Sequence, residues 1–182
     1  MKKDDLNNKA CKQGISFIIV CYKSQLDLAS LVTSIIKCAD ISHELLEIIV
    51  VDNWGRGDEQ KIINTLAEKY NADFIYKKSK INGGYGAGNN IGIMLSKYDI
   101  VCVVNPDVRF IDPIFNKVLT KFSNNQKLLA LSGKQISKTR NSFFIRPEFQ
   151  YPLLKELGSL LLKHIGVFSH KLMALSGAMT FY

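Results

Sequence analysis

The chain has 182 residues, of which 47% are hydrophobic, and its 24 lysine and arginine residues outnumber 16 aspartate and glutamate residues, giving a net charge of +8. This apolar fraction excludes a disordered chain, and the lack of an apolar run near ~18 residues excludes a membrane-spanning helix. The charge favours acidic partners, but the lysines are scattered without interleaved aromatic residues, so no nucleic acid is expected among them.

Residues 1–13 carry lysines with no apolar stretch behind them. This pattern excludes a signal peptide and predicts a flexible N-terminal tail on a cytoplasmic protein. The remaining length suits one domain and part of a second, at about 150 residues per domain.

Short apolar runs alternate with helical stretches after this tail. Residues 15–21 are apolar on both faces, which is typical of a strand buried in a parallel sheet. Further strands are predicted at 47–51, 72–77, 99–105 and 128–132, and helices at 26–37, 59–70, 87–97 and 113–122. The alternation predicts an α/β fold with an open, mainly parallel sheet and helices on both faces.

The pattern changes from residue 141 onward, where prolines and a glycine interrupt it. Residues 152–171 place leucines beside three lysines, which fits either a peripheral helix on the inner face of an anionic membrane or a helix that packs on protein. Residues 172–182 are apolar again and predict another buried strand.

The cysteines show no zinc-binding spacing and no paired motif. Two of them lie within apolar runs, where a free thiol behaves as a small buried hydrophobe. We predict that all four are reduced, buried and structural: Cys11, Cys21, Cys38 and Cys102.

Polar residues follow the predicted strands, at the edge where open α/β sheets bind ligands. Tyr22 follows the first strand, and Asp52 and Asn53 end the second. A carboxylate at a buried strand tip needs a hydrogen-bond donor. Asp52 suits either the imide N–H of uracil or thymine, or a structural role as a helix cap or lysine partner.

The stretch 82–92 is rich in glycine but matches neither known phosphate motif. It does not follow the first strand, as a Rossmann fingerprint does, and Asn89-Asn90 replace the Lys-Ser or Lys-Thr pair of a P-loop. Glycines let the backbone approach a ligand, and a helix N-terminus favours anions. Glycines chosen for helix packing in a tight turn explain the pattern equally well.

Asn105-Pro106-Asp107 closes the fourth strand. Pro106 cannot continue the hydrogen-bond ladder, so the chain is expected to turn out and present Asp107 to the cleft. One carboxylate together with diphosphate oxygens and water commonly holds Mg²⁺ or Mn²⁺, although a plain Asn-Pro-Asp turn is also frequent.

Residues 15–24, 47–53, 82–92 and 104–108 together resemble the family 2 glycosyltransferases with the GT-A fold, especially the bacterial rhamnosyltransferase-like branch. Their order and spacing fit across residues 14–135, which the resemblance identifies as a nucleotide-sugar-binding domain. It implies a base site around Tyr22 and Asp52 and a divalent metal on Asp107. The nucleotide-sugar site that it implies comprises Tyr22, Asp52, Asn53, Asn82, Gly83, Gly84, Asn89, Asn105 and Asp107.

The resemblance also implies a reaction. A UDP- or dTDP-sugar, with dTDP-rhamnose as one option, would donate its sugar with inversion to a saccharide or lipid-linked acceptor in cell-envelope polysaccharide synthesis. Residues 136–182 would begin an acceptor-side region that is incomplete, so no residue is assigned as the general base. A non-catalytic nucleotide-sugar-binding or scaffold module and a nucleotidyltransferase are the alternatives. Lys23 and Trp54 depart from the family pattern beside the base site.

Overall fold

The computed structural model describes residues 13–133, 143–145, 173–175 and 178–182. A short 3₁₀ turn at His43–Leu45 precedes the second strand. The helices are α1 (Gln25–Lys37), α2 (Asp58–Lys69), α3 (Gly84–Leu95) and α4 (Phe115–Asn124). The strands are β1 (Ile15–Cys21), β2 (Leu46–Asp52), β3 (Asp73–Lys78), β4 (Ile100–Val104), β5 (Phe143–Ile145), β6 (Met173–Leu175) and β7 (Met179–Phe181).

Five of the strands form one sheet in the order β3-β2-β1-β4-β7. The first four are parallel, and β7 runs antiparallel to β4 at the edge. The strand order reverses between β1 and β4, because β2 leaves β1 on one side and β4 joins it on the other. Strands β5 and β6 form a separate antiparallel pair. The predicted α/β fold with a mainly parallel sheet is confirmed.

Helices cover both faces of this sheet, as predicted. The larger core lies on the face covered by α1, α2 and α4, and the smaller one joins Val20 and Val51 to Ile91 of α3 on the other face. The larger core includes four phenylalanine rings packed edge to face: Phe17, Phe110, Phe115 and Phe181. Both faces of β1 and β2 are therefore buried, which explains their unbroken apolar sequences.

Helix α3 lies close to the sheet because of two glycines. A Cβ atom on Gly88 would lie 2.6 Å from Val20 Cγ1, and one on Gly92 would lie 2.3 Å from Ile18 Cγ2. Neither distance is possible unless the helix or the facing side chain moves. The packing explanation of the glycine-rich stretch therefore holds for these two residues.

A buried carboxylate, Glu47, holds the amino edge of the sheet together. Its Oε2 accepts hydrogen bonds from Ser16 Oγ at 2.5 Å and from the Lys97 backbone N–H at 2.9 Å. The Ser16 hydroxyl accepts the Tyr98 N–H at 3.3 Å, and the Tyr98 hydroxyl donates to the Glu44 carbonyl. Glu47 thus connects β1, β2 and the turn that leads into β4.

Several predicted elements differ from the structure. The strand predicted at 128–132 was wrong: only Leu131 pairs, in an isolated bridge to Phe181. The predicted strand at 172–182 comprises two short strands that belong to different sheets. Helix α3 begins three residues before the predicted start, because the glycines serve the helix rather than break it.

The cysteine prediction is correct for Cys21 and Cys102, which are free and buried. Burial raises the pKa of both thiols, and the nearby Glu59 and Asp52 add to the shift at Cys21. The prediction of burial was wrong for Cys38, which is free but only partly buried at the C-cap of α1. Cys11 lies outside the described residues.

Other expectations fall on parts of the chain that the structure does not describe. These are nearly all of the tail at 1–13, the stretch at 152–171 and most of the acceptor-side region at 136–182. Across the described ranges, none of the helices is long and apolar enough to cross a bilayer.

Candidate functional site

The predicted site residues collect at the carboxyl edge of the sheet, on the ends of β1, β2 and β4 and the start of α3. Tyr22 follows β1, Asp52 ends β2, and Asn105 follows β4. Gly88 and Gly92 let α3 pack against β1 and β2, so the first turn of this helix lies near the carboxyl edge. The topology therefore gathers residues from distant parts of the chain around the point where the strand order reverses.

Asp52 is fully buried and organises the loop that follows it. Its Oδ1 accepts the N–H groups of Trp54 and Gly55 at 2.8 and 2.7 Å. Its Oδ2 accepts the N–H of Gly57 at 3.2 Å and the Tyr76 hydroxyl at 2.7 Å. Four protein donors thus satisfy the carboxylate, in a structural role that is neither the helix cap nor the lysine partner that the sequence suggested. A contact with a nucleobase imide remains a prediction.

Asn53 links the end of β2 to the start of α3. Its Nδ2 donates to the Gly84 carbonyl at 2.9 Å, while Asn82 Oδ1 accepts the Gly84 N–H at 3.0 Å. Gly84 adopts φ +82°, the left-handed conformation that favours glycine. Gly83 precedes the helix and is close to Ala87, whose Cβ would lie 2.8 Å from a Cβ on Gly83.

Two observations at the start of α3 and the end of β2 are not explained by packing. A Cβ on Gly86 would meet no atom within 4 Å, so packing does not require glycine there. The buried Oδ1 atoms of Asn53 and Asn89 have no hydrogen-bond partner within the described part of the chain. Buried amide oxygens of this kind need a donor, which a ligand or water can supply.

An aromatic and basic cluster borders the site beside β1 and β2. The Tyr22 and Trp54 rings meet edge to face with centroids 5.1 Å apart. Lys23 Nζ lies 4.2 Å from the Trp54 ring centroid, and Arg56 Cζ lies 4.7 Å from it. Lys23 adopts φ +56°, which is uncommon for a residue with a side chain. The two departures from the family pattern therefore contact each other.

The Asn105-Pro106-Asp107 segment forms the turn that the sequence predicts. The Val108 N–H donates to the Asn105 carbonyl at 3.1 Å, and Asp107 is exposed. The Arg109 guanidinium donates to the carbonyls of Pro106 and Val108, at 2.7 Å in both cases. The carboxylate thus stands on a turn held by both its backbone and a neighbouring side chain.

Tyr85 lies in the first turn of α3, and the pKa of its hydroxyl is affected by the Asn89 side chain and, more weakly, by Asp107. Burial raises the pKa of the Tyr85 hydroxyl, the Asn89 side chain opposes the shift, and Cys102, Tyr182 and Asp107 add to it in decreasing order. Tyr85 therefore stays protonated at neutral pH and can donate a hydrogen bond at this edge. The first turn of α3 and the Asp107 turn both lie at the carboxyl edge of the sheet.

A second buried carboxyl group, Glu59, lies in the first turn of α2. Neither of its carboxyl oxygens has a hydrogen-bond partner among the described residues. Burial raises the pKa of Glu59, the backbone groups of Glu59 and Ser24 oppose the shift, and the nearby Asp52 and Asp58 add to it. Burial likewise raises the pKa of Tyr76, strengthened by its hydrogen bond to Asp52.

The donor set suits a divalent cation that shares its coordination with a ligand. Within the described residues no three potential metal-ligating side chains cluster together. Asp107 is a single exposed carboxylate, and a hard cation held by one carboxylate takes its other oxygens from phosphates and water. The residues present therefore fit a metal that arrives with a phosphate-bearing ligand.

Sequence reasoning missed three residues of this region. Arg109 carries no motif, because its acceptors include backbone carbonyls and an aspartate 82 positions away. Glu59 reads as an ordinary acidic residue of a first helical turn. Tyr85 lay within the quoted glycine-rich stretch, and an aromatic residue inside such a stretch was the available signal.

Comparison with known proteins agrees with this geometry. The sequence model of the family described as Glycosyl transferase family 2 matches residues 16–176. A poly-beta-1,6-N-acetyl-D-glucosamine synthase of Staphylococcus epidermidis is 25% identical over 130 residues, which cover 71% of this chain and 30% of the synthase. The chain thus spans less than a third of the length of that relative.

Two solved structures share the fold. One is S. aureus TarS 1–349 in complex with UDP-GlcNAc, with a TM-score of 0.59 and 21% identity over 71% of this chain and 36% of that chain. The other is the mannosyltransferase PcManGT from Pyrobaculum calidifontis in complex with GDP-Man and Mn²⁺, with a TM-score of 0.59 and 16% identity. The match to the latter covers 70% of this chain and 40% of that chain.

Proposed function

Because this chain belongs to glycosyl transferase family 2, we propose that it binds a UDP- or dTDP-sugar and transfers the sugar to a saccharide or lipid-linked acceptor with inversion. The observation that carries the proposal is the convergence of the Asp107 turn and the glycine-rich start of α3 at the reversal of strand order. Similarity to a polysaccharide synthase and to a fold that binds UDP-GlcNAc supports it.

In the proposed site the base lies beside Tyr22 and the loop shaped by Asp52. The diphosphate lies between the N-terminus of α3 and Asp107, because helix N-termini favour anions. The buried amide oxygens of Asn53 and Asn89 accept hydrogen bonds from the ligand or from water that accompanies it. The rhamnosyltransferase-like branch remains our proposal for the donor sugar.

Transfer would proceed by in-line attack of an acceptor hydroxyl on the anomeric carbon, which inverts that centre. Asp107 would hold Mg²⁺ or Mn²⁺, and such an ion offsets the charge of a departing diphosphate. Tyr85 would donate a hydrogen bond from its protonated hydroxyl. We assign no general base within this chain.

We place the reaction in the cytoplasm, with residues 152–171 as a contact to the inner face of the membrane. Their leucine-rich sequence with three lysines supports this assignment. Co-sedimentation with vesicles should then require anionic lipid. Equal sedimentation with neutral vesicles would contradict the membrane contact.

The donor site is tested by thermal-shift titration with UDP, dTDP and GDP, each with and without Mn²⁺. A ligand at a hundred times its dissociation constant stabilises a fold by about 2.7 kcal/mol, which is a readable shift. We expect a Mn²⁺-dependent shift with UDP or dTDP that Asp107→Ala abolishes. Asp112→Ala, which removes an exposed carboxylate five positions away, is the matched control and should retain it.

The outcomes separate the proposals. No shift with any of these nucleotides would overturn the donor site and favour the scaffold module. A shift with GDP alone would overturn the pyrimidine assignment but keep the nucleotide site. A Mn²⁺-dependent shift that survives Asp107→Ala would overturn the metal assignment.

A further inference from the structure

Arg109 makes three side-chain hydrogen bonds beside the Asp107 turn. Its Nη1 donates to the Pro106 and Val108 carbonyls, both at 2.7 Å. Its Nη2 donates to Asp27 Oδ1 at 2.8 Å. Since Pro106 and Val108 flank Asp107 directly, the guanidinium binds the carbonyl groups of the residues on both sides of it.

The three hydrogen bonds of Arg109 form a clamp on the Asp107 turn, and Asp27 is a suitable anchor for it. It lies in the first turn of α1, where a carboxylate is stabilised by the helix dipole. Helix α1 starts three residues after Tyr22, so the clamp joins the β4 side of the cleft to the β1 side. The planar fork of arginine can serve several acceptors in fixed directions, which one lysine ammonium does less well.

The clamp contributes little to stability as an ion pair. The Arg109 and Asp27 side chains are 34% and 50% exposed, and exposed ion pairs of this kind add little to folding. An exposed turn, however, keeps one conformation only if contacts define it. The three bonds therefore bear on where Asp107 stands more than on whether the protein folds.

We propose that Arg109, anchored by Asp27, is a positioning residue that presents Asp107 to the divalent cation of a bound nucleoside diphosphate. This inference rests on the proposed function. It adds Arg109 and Asp27 as a positioning pair that links α1 to the Asp107 turn. It predicts that metal affinity depends on a guanidinium that does not itself contact the metal.

The test measures Mn²⁺ affinity by electron paramagnetic resonance with saturating UDP, together with UDP affinity without metal. Loss of a residue that orients a metal ligand lowers metal affinity by about 10- to 100-fold. We expect Arg109→Ala to weaken Mn²⁺ at least about 10-fold and to leave metal-free UDP affinity unchanged. Asp27→Ala should weaken Mn²⁺ in the same direction, and Asp27→Asn, which keeps an acceptor oxygen, should restore most of the affinity.

The chain offers a matched control in the Lys97–Asp73 ion pair, whose side chains are 36% and 49% exposed at a distance of 2.6 Å. Asp73→Ala breaks that pair at the far edge of the sheet and should leave Mn²⁺ affinity unchanged. A second measurement is hydrogen–deuterium exchange of residues 105–109 without nucleotide. It should become faster in Arg109→Ala and stay unchanged in Asp73→Ala.

Equal Mn²⁺ affinity in wild type and Arg109→Ala would overturn the inference, as would unchanged exchange at 105–109. A loss of UDP affinity that is the same with and without Mn²⁺ would also overturn it, since the role would then be general. If wild type binds neither UDP nor Mn²⁺, the proposed function itself fails. The exchange measurement distinguishes the two failures, because it needs no ligand.

Discussion

Asp52 and Glu59 are two buried carboxyl groups seven positions apart with different surroundings. Four protein donors surround Asp52, whereas the Glu59 carboxyl has no partner within the described ranges. Burial of an unpaired carboxylate is costly, so such a group keeps its proton to a higher pH. At the residue scale, Asp52 therefore shapes the loop that follows β2, and Glu59 makes the neighbouring start of α2 sensitive to pH.

This contrast predicts a pH dependence. The pKa of Glu59 in the folded state lies above its ordinary value of 4.5, so the folded state binds more protons than the unfolded state above that pH. The free energy of unfolding should consequently fall as the pH rises from 4.5 through the folded-state pKa. Glu59→Gln removes this contribution, and its stability relative to wild type should increase with pH over that window.

Urea unfolding at several pH values measures this difference. Glu68→Gln, on the exposed side of the same helix, is the matched control and should show no such trend. A stability difference between Glu59→Gln and wild type that stays constant across the window would contradict the prediction.

At the scale of the element, α3 combines two uses of glycine. Gly88 and Gly92 let the helix approach the sheet, and Gly86 faces open space near the cleft. The helix contains no charged residue from Gly84 to Leu95, and its exposed side carries Met94, which is 87% exposed. Packing therefore accounts for one side of α3, and the side toward the site has glycine without a packing reason.

Two alanine substitutions on α3 separate these uses. Gly92→Ala should lower the free energy of unfolding by about 1–3 kcal/mol, because its Cβ would overlap Ile18. Gly86→Ala should leave it unchanged or raise it by up to about 1 kcal/mol, since alanine favours helix and the space is open. Urea unfolding measures both. A larger loss from Gly86→Ala than from Gly92→Ala would contradict the packing described for this helix.

How far the sequence predicts these elements depends on the type of signal. Strands β1, β2 and β4 lie within a residue or two of their predicted positions, because uniformly apolar runs are a direct sign of burial on both faces. The start of α3 was missed because glycine usually interrupts helices, whereas here Asn82 and the left-handed Gly84 begin one. Arg109 was missed because a contact between distant positions leaves no local pattern.

At the scale of the whole molecule, the two edges of the sheet are built differently. Glu47, only 1% exposed, ties β1, β2 and the turn before β4 together at the amino edge. The carboxyl edge consists of loops whose polar groups face the cleft, including the exposed Asp107. One edge thus carries stability, and the other is available for binding.

Glu47→Gln tests this division. A neutral acceptor bonds less strongly than a carboxylate, so the free energy of unfolding should fall by about 1–3 kcal/mol. Because the amino edge is remote from the site, nucleotide affinity measured calorimetrically below the unfolding transition should match that of wild type. Weakened nucleotide binding by folded Glu47→Gln would show that the two edges are coupled.

Strand β7 has a consequence for how the chain assembles. Strands β1 to β4 lie within residues 15–104 and can pair early, whereas the outer edge of β4 must wait for β7, which begins at Met179. Pairing between positions so far apart in sequence raises the contact order, which slows folding. Until β7 arrives, β4 presents an unpaired edge that favours association with other chains. Strand β7 therefore covers the edge of β4 during folding, and mutations that weaken β7 should first appear as aggregation of newly made protein.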